Sequence, residues 1–156
     1  MCEMEAQVGN DLDMTDRIRT LIDGQSFAVL CTQGDGQPYG SVVAYAASPD
    51  LKSIVFSTPM DTHKYRLLCG CDRVALVIDS RPVSSDAIMD GEALTAIGRA
   101  VQVPPGEAFD HLAALFASRH PKLVSFVTDP SSALFRIDID RYVYVTRFQE
   151  VHRWCP

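Results

Sequence analysis

The feature that most constrains this chain is a run of short strand-forming segments separated by turn signals. Residues 26–32 (SFAVLCT) are apolar and rich in strand formers, and residues 33–37 (QGDGQ) carry Asp35-Gly36, a dipeptide that tight hairpins favour. Residues 38–46 return as a second strand, Ser48-Pro49-Asp50 turns the chain again, and residues 52–58 form a third. Three short strands joined by tight turns make a meander, the opening of an antiparallel barrel or sandwich.

The rest of the chain extends this pattern. Residues 74–79 (VALVID) read as a central strand and residues 93–103 as a long one, in which Gly98 marks a bulge or a barrel corner. Residues 133–140 alternate apolar and polar, with Asp138 and Asp140 on the solvent side, and residues 142–146 continue as strand. Helices fill the gaps. Residues 13–24 carry capping side chains followed by Ile18, Leu21 and Ile22 at helical spacing; residues 61–68 form a second helix, with Gly70 placed to stop it. A third begins near Pro104-Pro105-Gly106, with Phe109, Leu112, Ala113 and Phe116 on one face; Pro121 interrupts it, and residues 123–127 form a short helical turn. Residues 81–90 read as a polar loop. The expectation is a mainly β chain with short helices, in which residues 1–12 are a flexible lead and residues 13–156 form one domain. A chain of 156 residues has room for one substantial core.

Charge and composition narrow the partners. A net charge of −6 disfavours nucleic acid and anionic membranes, which need clustered Lys and Arg. It leaves room for a small anionic ligand, for which one local positive site is enough. No apolar run reaches the roughly 18 residues of a membrane span. The polar N-terminus lacks the pattern of a signal peptide, so a cytoplasmic location is expected. The five cysteines are then expected as free thiols, with Cys31 in the core. The one-residue gap of Cys69-Gly70-Cys71 is too tight for the usual zinc-knuckle spacing, and no metal site is expected.

Two segments could carry chemistry. In residues 56–65 (FSTPMDTHKY) a strand ends in Ser57 and Thr58, and a helix starts with Thr62, His63 and Lys64. Helix N-termini offer free N–H groups and partial positive charge, so hydroxyls and a lysine there suit a phosphate. The same residues also suit plain helix capping with a solvated lysine. In residues 39–45 the small Gly40, Ser41 and Ala44 would let a flat ring approach the backbone, or would simply fit a tight barrel interior. His111 and His120 read as surface residues. No paired carboxylates, nucleophile elbow, Walker loop or Rossmann glycine pattern occurs, and no catalytic residue is assigned.

Taken in order, GDGQPYGSVVAYAASPDLKSIVFSTPMDTHKYRLL, CDRVALVID and ALTAIGRAVQV resemble the FMN-binding split-barrel family that includes pyridoxamine 5′-phosphate oxidase, over roughly residues 18–147. The resemblance implies a six- to seven-stranded antiparallel split β-barrel. It implies that Ser57 and Thr58 sit near the FMN phosphate and ribityl chain, that Thr62 and Lys64 hold the phosphate with His63 beside it, and that Val42, Val43, Ala44 and Tyr45 line the isoalloxazine, partly through backbone groups. It also implies a homodimer whose second subunit completes each site, with Thr95, Arg147 and Trp154 as its contributions. Two departures stand out. Family members often carry Asn three residues after the lysine, where this chain has Leu67, and the tail does not match the substrate-phosphate segment of the vitamin B6 enzymes. The expectation is an FMN-dependent oxidoreductase acting on a small molecule. The alternatives are a non-catalytic flavin binder or sensor, an F420-dependent reductase, and a haem-binding or haem-degrading relative in which His152 ligates iron.

Overall fold

The computed structural model describes residues 11–80, 84–146 and 150–156. The meander forms as the turn chemistry requires. β1 (Phe27–Gly34) and β2 (Gln37–Ala44) pair antiparallel from Phe27↔Ala44 to Gly34↔Gln37. Asp35 and Gly36 close the hairpin at φ of 52° and 77°, the left-handed geometry that Asp-Gly tolerates. Tyr45 then breaks the strand. The two residues of β3 (Ala46–Ala47) leave β1 and pair with β4 (Ser53–Pro59) instead.

The sheet continues through β5 (Arg73–Asp79), β6 (Ala93–Gln102), β7 (Ser132–Thr146) and β8 (Glu150–Trp154). All pairings are antiparallel, in the order β2-β1-β5-β6-β7-β4-β3, with β8 added to β7. This is the split barrel, with strands beyond the six or seven expected. β3 is a two-residue graft, and β8 comes from a tail with no obvious strand pattern. Gly98 sits at a register shift in β6, where a Cβ would come 2.1 Å from the Asp138 carbonyl oxygen. The barrel corner therefore requires glycine.

Two cores form on the two sides of this sheet. The barrel interior holds Leu30, Ile54, Phe56, Leu76, Tyr142 and Tyr144, closed at one end by Ile18 and Ile22 of α1 (Asp11–Gly24). Helix α1 starts two residues earlier than expected. Behind β4 and β7, α3 (Glu107–Arg119) and α4 (Val124–Thr128) pack Phe116, Ala113 and Val127 onto Val55 and Leu134. After β5, residues Ser85–Asp90 form short 3-10 turns kinked at Ala87 and capped by Ser84. No helix among the described residues is long and apolar enough to cross a membrane.

Three expectations are corrected. Cys31 is half-buried on the outer face of β1 rather than in the core, because strand alternation points its neighbour Leu30 inward. Cys31, Cys69 and Cys71 are free, but Cys155 is disulfide-bonded. Spacing along a chain does not reveal which thiols a fold brings within bonding distance. His120, expected at the surface, is half-buried with its Nε2 2.7 Å from the Tyr45 carbonyl oxygen, because α3 ends against the β2–β3 junction. His111 is exposed as expected.

Candidate functional site

The split gives the barrel its chemical opportunity. β2 pairs only with β1, so its other edge has no strand partner among the described residues. β4 beyond Val55 is likewise open on the side facing β2, and the two strands run close together. Two free backbone edges therefore flank a groove, and each carries unpaired N–H and C=O groups.

Helix α2 (His63–Gly70) follows β4 and stands at one end of this groove. It starts two residues later than expected because Thr62 takes the N-cap: its Oγ accepts the Tyr65 N–H at 3.2 Å and donates to the Pro59 carbonyl at 2.9 Å. Gly70 is the last helical residue, and Cys71 is the C-cap. The other hydroxyls are also engaged in building the turn. Thr58 is fully buried, with its Oγ 3.1 Å from that of Thr62. Ser57 is buried and donates to the Ala133 carbonyl at 3.2 Å. The capping reading thus describes what these side chains do within the chain.

What the turn leaves over is positive. Lys64 is half-buried, and no carboxylate lies within ion-pair distance of it among the described residues. Burial pushes its ammonium pKa down, the mark of a charge short of solvent. His63 is exposed and sets its ring edge-on to Tyr39 of β2, with centroids 4.9 Å apart and planes at 86°. That contact ties the first turn of α2 to the free edge of β2.

Along β2 the side chains alternate. Val42 points outward and is 66% exposed, Val43 is in the barrel core, and Ala44 packs partly against the second core. Tyr45 is wholly buried; its hydroxyl donates to the Ile22 carbonyl at 2.7 Å, and burial pushes its pKa up to about 12. Its ring therefore belongs to the core, and its carbonyl is held by His120. Ser41, which the sequence reading noted only for its size, has a buried Oγ with no hydrogen-bond partner among the described residues. A buried hydroxyl without a partner is a polar group awaiting one.

The remaining expected residues lie elsewhere. Thr95 is on the outer face of β6, in a cross-strand row with Val77 and Val143. Trp154 stacks on Tyr142 of its own chain, with centroids 5.7 Å apart, and packs against the barrel core. Arg147 lies outside the described residues. A shallow concavity of about 390 Å³ beside the β1–β2 hairpin, lined by Gln33, Asp35, Arg66, Leu67 and Cys71 among others, contains none of the expected residues.

The model of the family described as pyridoxamine 5′-phosphate oxidase matches residues 14–155, nearly the whole chain and the whole sheet. The chain belongs to the pyridoxamine 5′-phosphate oxidase-like split-barrel family. Family membership agrees with the solved structures it resembles. One is a protein from Clostridium acetobutylicum related to general stress protein 26 of Bacillus subtilis, of the pyridoxinephosphate oxidase family: 14% identity, TM-score 0.71, covering 93% of this chain and 96% of that one. Another is a FAD-binding protein from Mesorhizobium loti: 19% identity, TM-score 0.64, 83% and 90% covered. A third is a heme binding protein from Mycobacterium smegmatis: 17% identity and TM-score 0.77, with 88% of this chain matching 55% of that longer one. At these identities the likeness establishes the fold. No curated protein matches the chain in sequence.

Within this split-barrel member, sequence reasoning missed Ser41 as a polar group and Arg119 and His120 as neighbours of the β2 edge. Ser41 had a signal, a hydroxyl on a strand otherwise apolar or small. The other two had none, since their partners lie 75 to 97 residues away.

Proposed function

We propose that this chain binds FMN in the split between β2 and β4 and works as a flavin-dependent oxidoreductase on a small substrate. One observation carries the reading: a half-buried Lys64, with no carboxylate partner among the described residues, stands at a helix N-terminus beside two strand edges that no described strand pairs. That is the arrangement a phosphate-bearing flat ring needs. Lys64 and the first N–H groups of α2 would hold the phosphate. The small Gly40, Ser41 and Ala44 would let the ring reach the edge of β2, and the orphaned Ser41 hydroxyl fits a ligand rich in polar groups. When bound, FMN supplies hydride and electron transfer, and the protein's part is binding, orientation and water exclusion. That division agrees with the lack of a recognisable acid, base or nucleophile motif. The Mesorhizobium relative, described as FAD-binding, supports a flavin in this fold.

The active form in this proposal is a homodimer. The outer face of the sheet exposes Phe27 (62%), Val29 (38%), Val42 (66%) and Val151 (53%), with Val77, Thr95, Val143 and Val145 between them. An apolar face of this extent is costly in water, and a two-fold copy is the commonest way to cover it. It would bring Thr95 of the second subunit toward the split. The Mycobacterium relative, described as heme binding, supports haem as a second reading. Here the candidate ligand His152 is half-buried on β8, its ring 6.3 Å from that of Tyr144 in its own barrel, which favours flavin.

The test compares FMN with riboflavin by fluorescence titration, alongside haem and F420. The proposal expects FMN to bind at least about tenfold more tightly than riboflavin, the size of one charge-assisted contact. It also expects a dimeric mass by light scattering. Equal affinity for FMN and riboflavin would overturn the phosphate assignment, and tight haem binding without flavin binding would overturn the cofactor.

A further inference from the structure

Tyr45 is the pivot of the split. Up to Ala44 the strand pairs with β1, and from Ala46 it pairs with β4. The opening of the groove therefore depends on the backbone of this one residue, and the structure fixes it from three directions. The ring is buried with its hydroxyl on the Ile22 carbonyl. The Arg119 guanidinium lies 5.2 Å from the ring centroid, donates to Ile22 O at 2.7 Å, and also bonds the carbonyl of Gln25. The His120 ring holds the Tyr45 carbonyl through Nε2 at 2.7 Å and rests on Phe116, with centroids 5.0 Å apart. Arg119 is the last residue of α3, where a cation complements the helix carbonyl end, and His120 is its C-cap. His120 sits 75 residues from the carbonyl it holds and Arg119 sits 97 from that of Ile22, so α3 acts as a brace from outside the barrel.

We propose that Arg119 and His120 are positioning residues that set the register of the β2 free edge against the flavin ring. His120 holds the pivot carbonyl and Arg119 the pivot ring. The inference rests on the flavin reading above and goes beyond it, since neither residue is in the groove. A clamp on the ring-reading edge has a signature different from that of a phosphate anchor: its loss penalises FMN and riboflavin equally, whereas loss of Lys64 penalises FMN alone.

The experiment measures FMN and riboflavin affinity, and the visible absorption of bound FMN, in the full-length wild type, His120→Ala, His120→Gln and Lys64→Ala. Expected for His120→Ala is a loss of about tenfold for both ligands, the usual cost of one buried hydrogen bond, with a shifted flavin band. His120→Gln, which keeps an N–H donor at similar reach, restores both. A folded His120→Ala with wild-type affinity and spectrum, or one weakened for FMN only, overturns the clamp while leaving the flavin reading intact. A wild type that binds neither ligand overturns both. Amide exchange on the wild type covers the case in which the alanine variant does not fold. The amide of Ala46 is then protected before any flavin is added, and those of Val42 and Ala44, which alternate with the β1-paired Val43 and lie on the free edge, gain protection only with it. Fast exchange at Ala46 in the flavin-free chain overturns the clamp.

Discussion

At Tyr45, where β2 gives way to β3, the side chain and the carbonyl are both held: the hydroxyl is on Ile22, the carbonyl on His120, and the ring lies under Arg119. Four residues earlier, Ser41 buries a hydroxyl that no described residue meets, and at the head of α2 Lys64 is half-buried with no carboxylate partner among the described residues. The difference teaches how such a fold divides its labour. The first region is tied together by three side chains and holds the barrel's shape, although the Arg119 Nε is itself buried without a partner among the described residues. The second is left incomplete, with polar groups that a ligand would satisfy.

Substitutions in the first region should cost stability and weaken FMN and riboflavin alike, and those in the second should cost ligand with little cost in stability. The largest expected effect is Arg119→Ala, which strips a carbonyl-binding guanidinium from a mostly buried position; a loss of about 2–4 kcal/mol in denaturant unfolding is expected. A loss under about 1 kcal/mol would mean that the pivot does not depend on it. Next, Lys64→Ala should weaken FMN binding by about 1.5–3 kcal/mol and leave the unfolding midpoint unchanged or raised, since it removes a poorly solvated charge. A protein destabilised with FMN affinity intact would reverse the assignment of the two regions.

Tyr45→Phe should cost about 1 kcal/mol through the lost bond to Ile22. It also tests a pH dependence. The folded pKa of Tyr45 is raised to about 12 from the usual value of 10, chiefly by burial. Its neutral form therefore contributes stability that is complete below about pH 10 and lost as the pH rises through about 12. The phenylalanine variant should lose stability less steeply over that window, and an unchanged alkaline limb would contradict the burial account. The smallest effect is Ser41→Ala, which should change stability by no more than about 0.5 kcal/mol, because no protein bond is lost. FMN affinity should fall measurably in the same variant.

What was legible in the sequence was local. Asp35-Gly36 announced the hairpin and Gly98 the bulge, because each depends on backbone geometry that few residues tolerate. The apolar faces of α1 and α3 were visible as periodicity. The start of α2 was misplaced because Asp61 and Thr62 both suit an N-cap, and only the bond from the Tyr65 N–H distinguishes them. β8 was not visible, since its residues become a strand by pairing with an unusually long β7. Of the site, the strand–helix turn and the small residues of β2 were legible through family resemblance. The isolation of Lys64 and Ser41 was not, because lacking a partner is a property of the folded surroundings.

The central claim is that the split between β2 and β4 takes a phosphorylated flavin. The most direct measurement is the visible absorption of wild type and Lys64→Ala after each is mixed with FMN and passed through gel filtration. The account predicts that flavin absorbance elutes with the wild type in stoichiometric amount and is largely lost from a folded Lys64→Ala variant. A colourless wild-type peak, or equal flavin on both proteins, would contradict it.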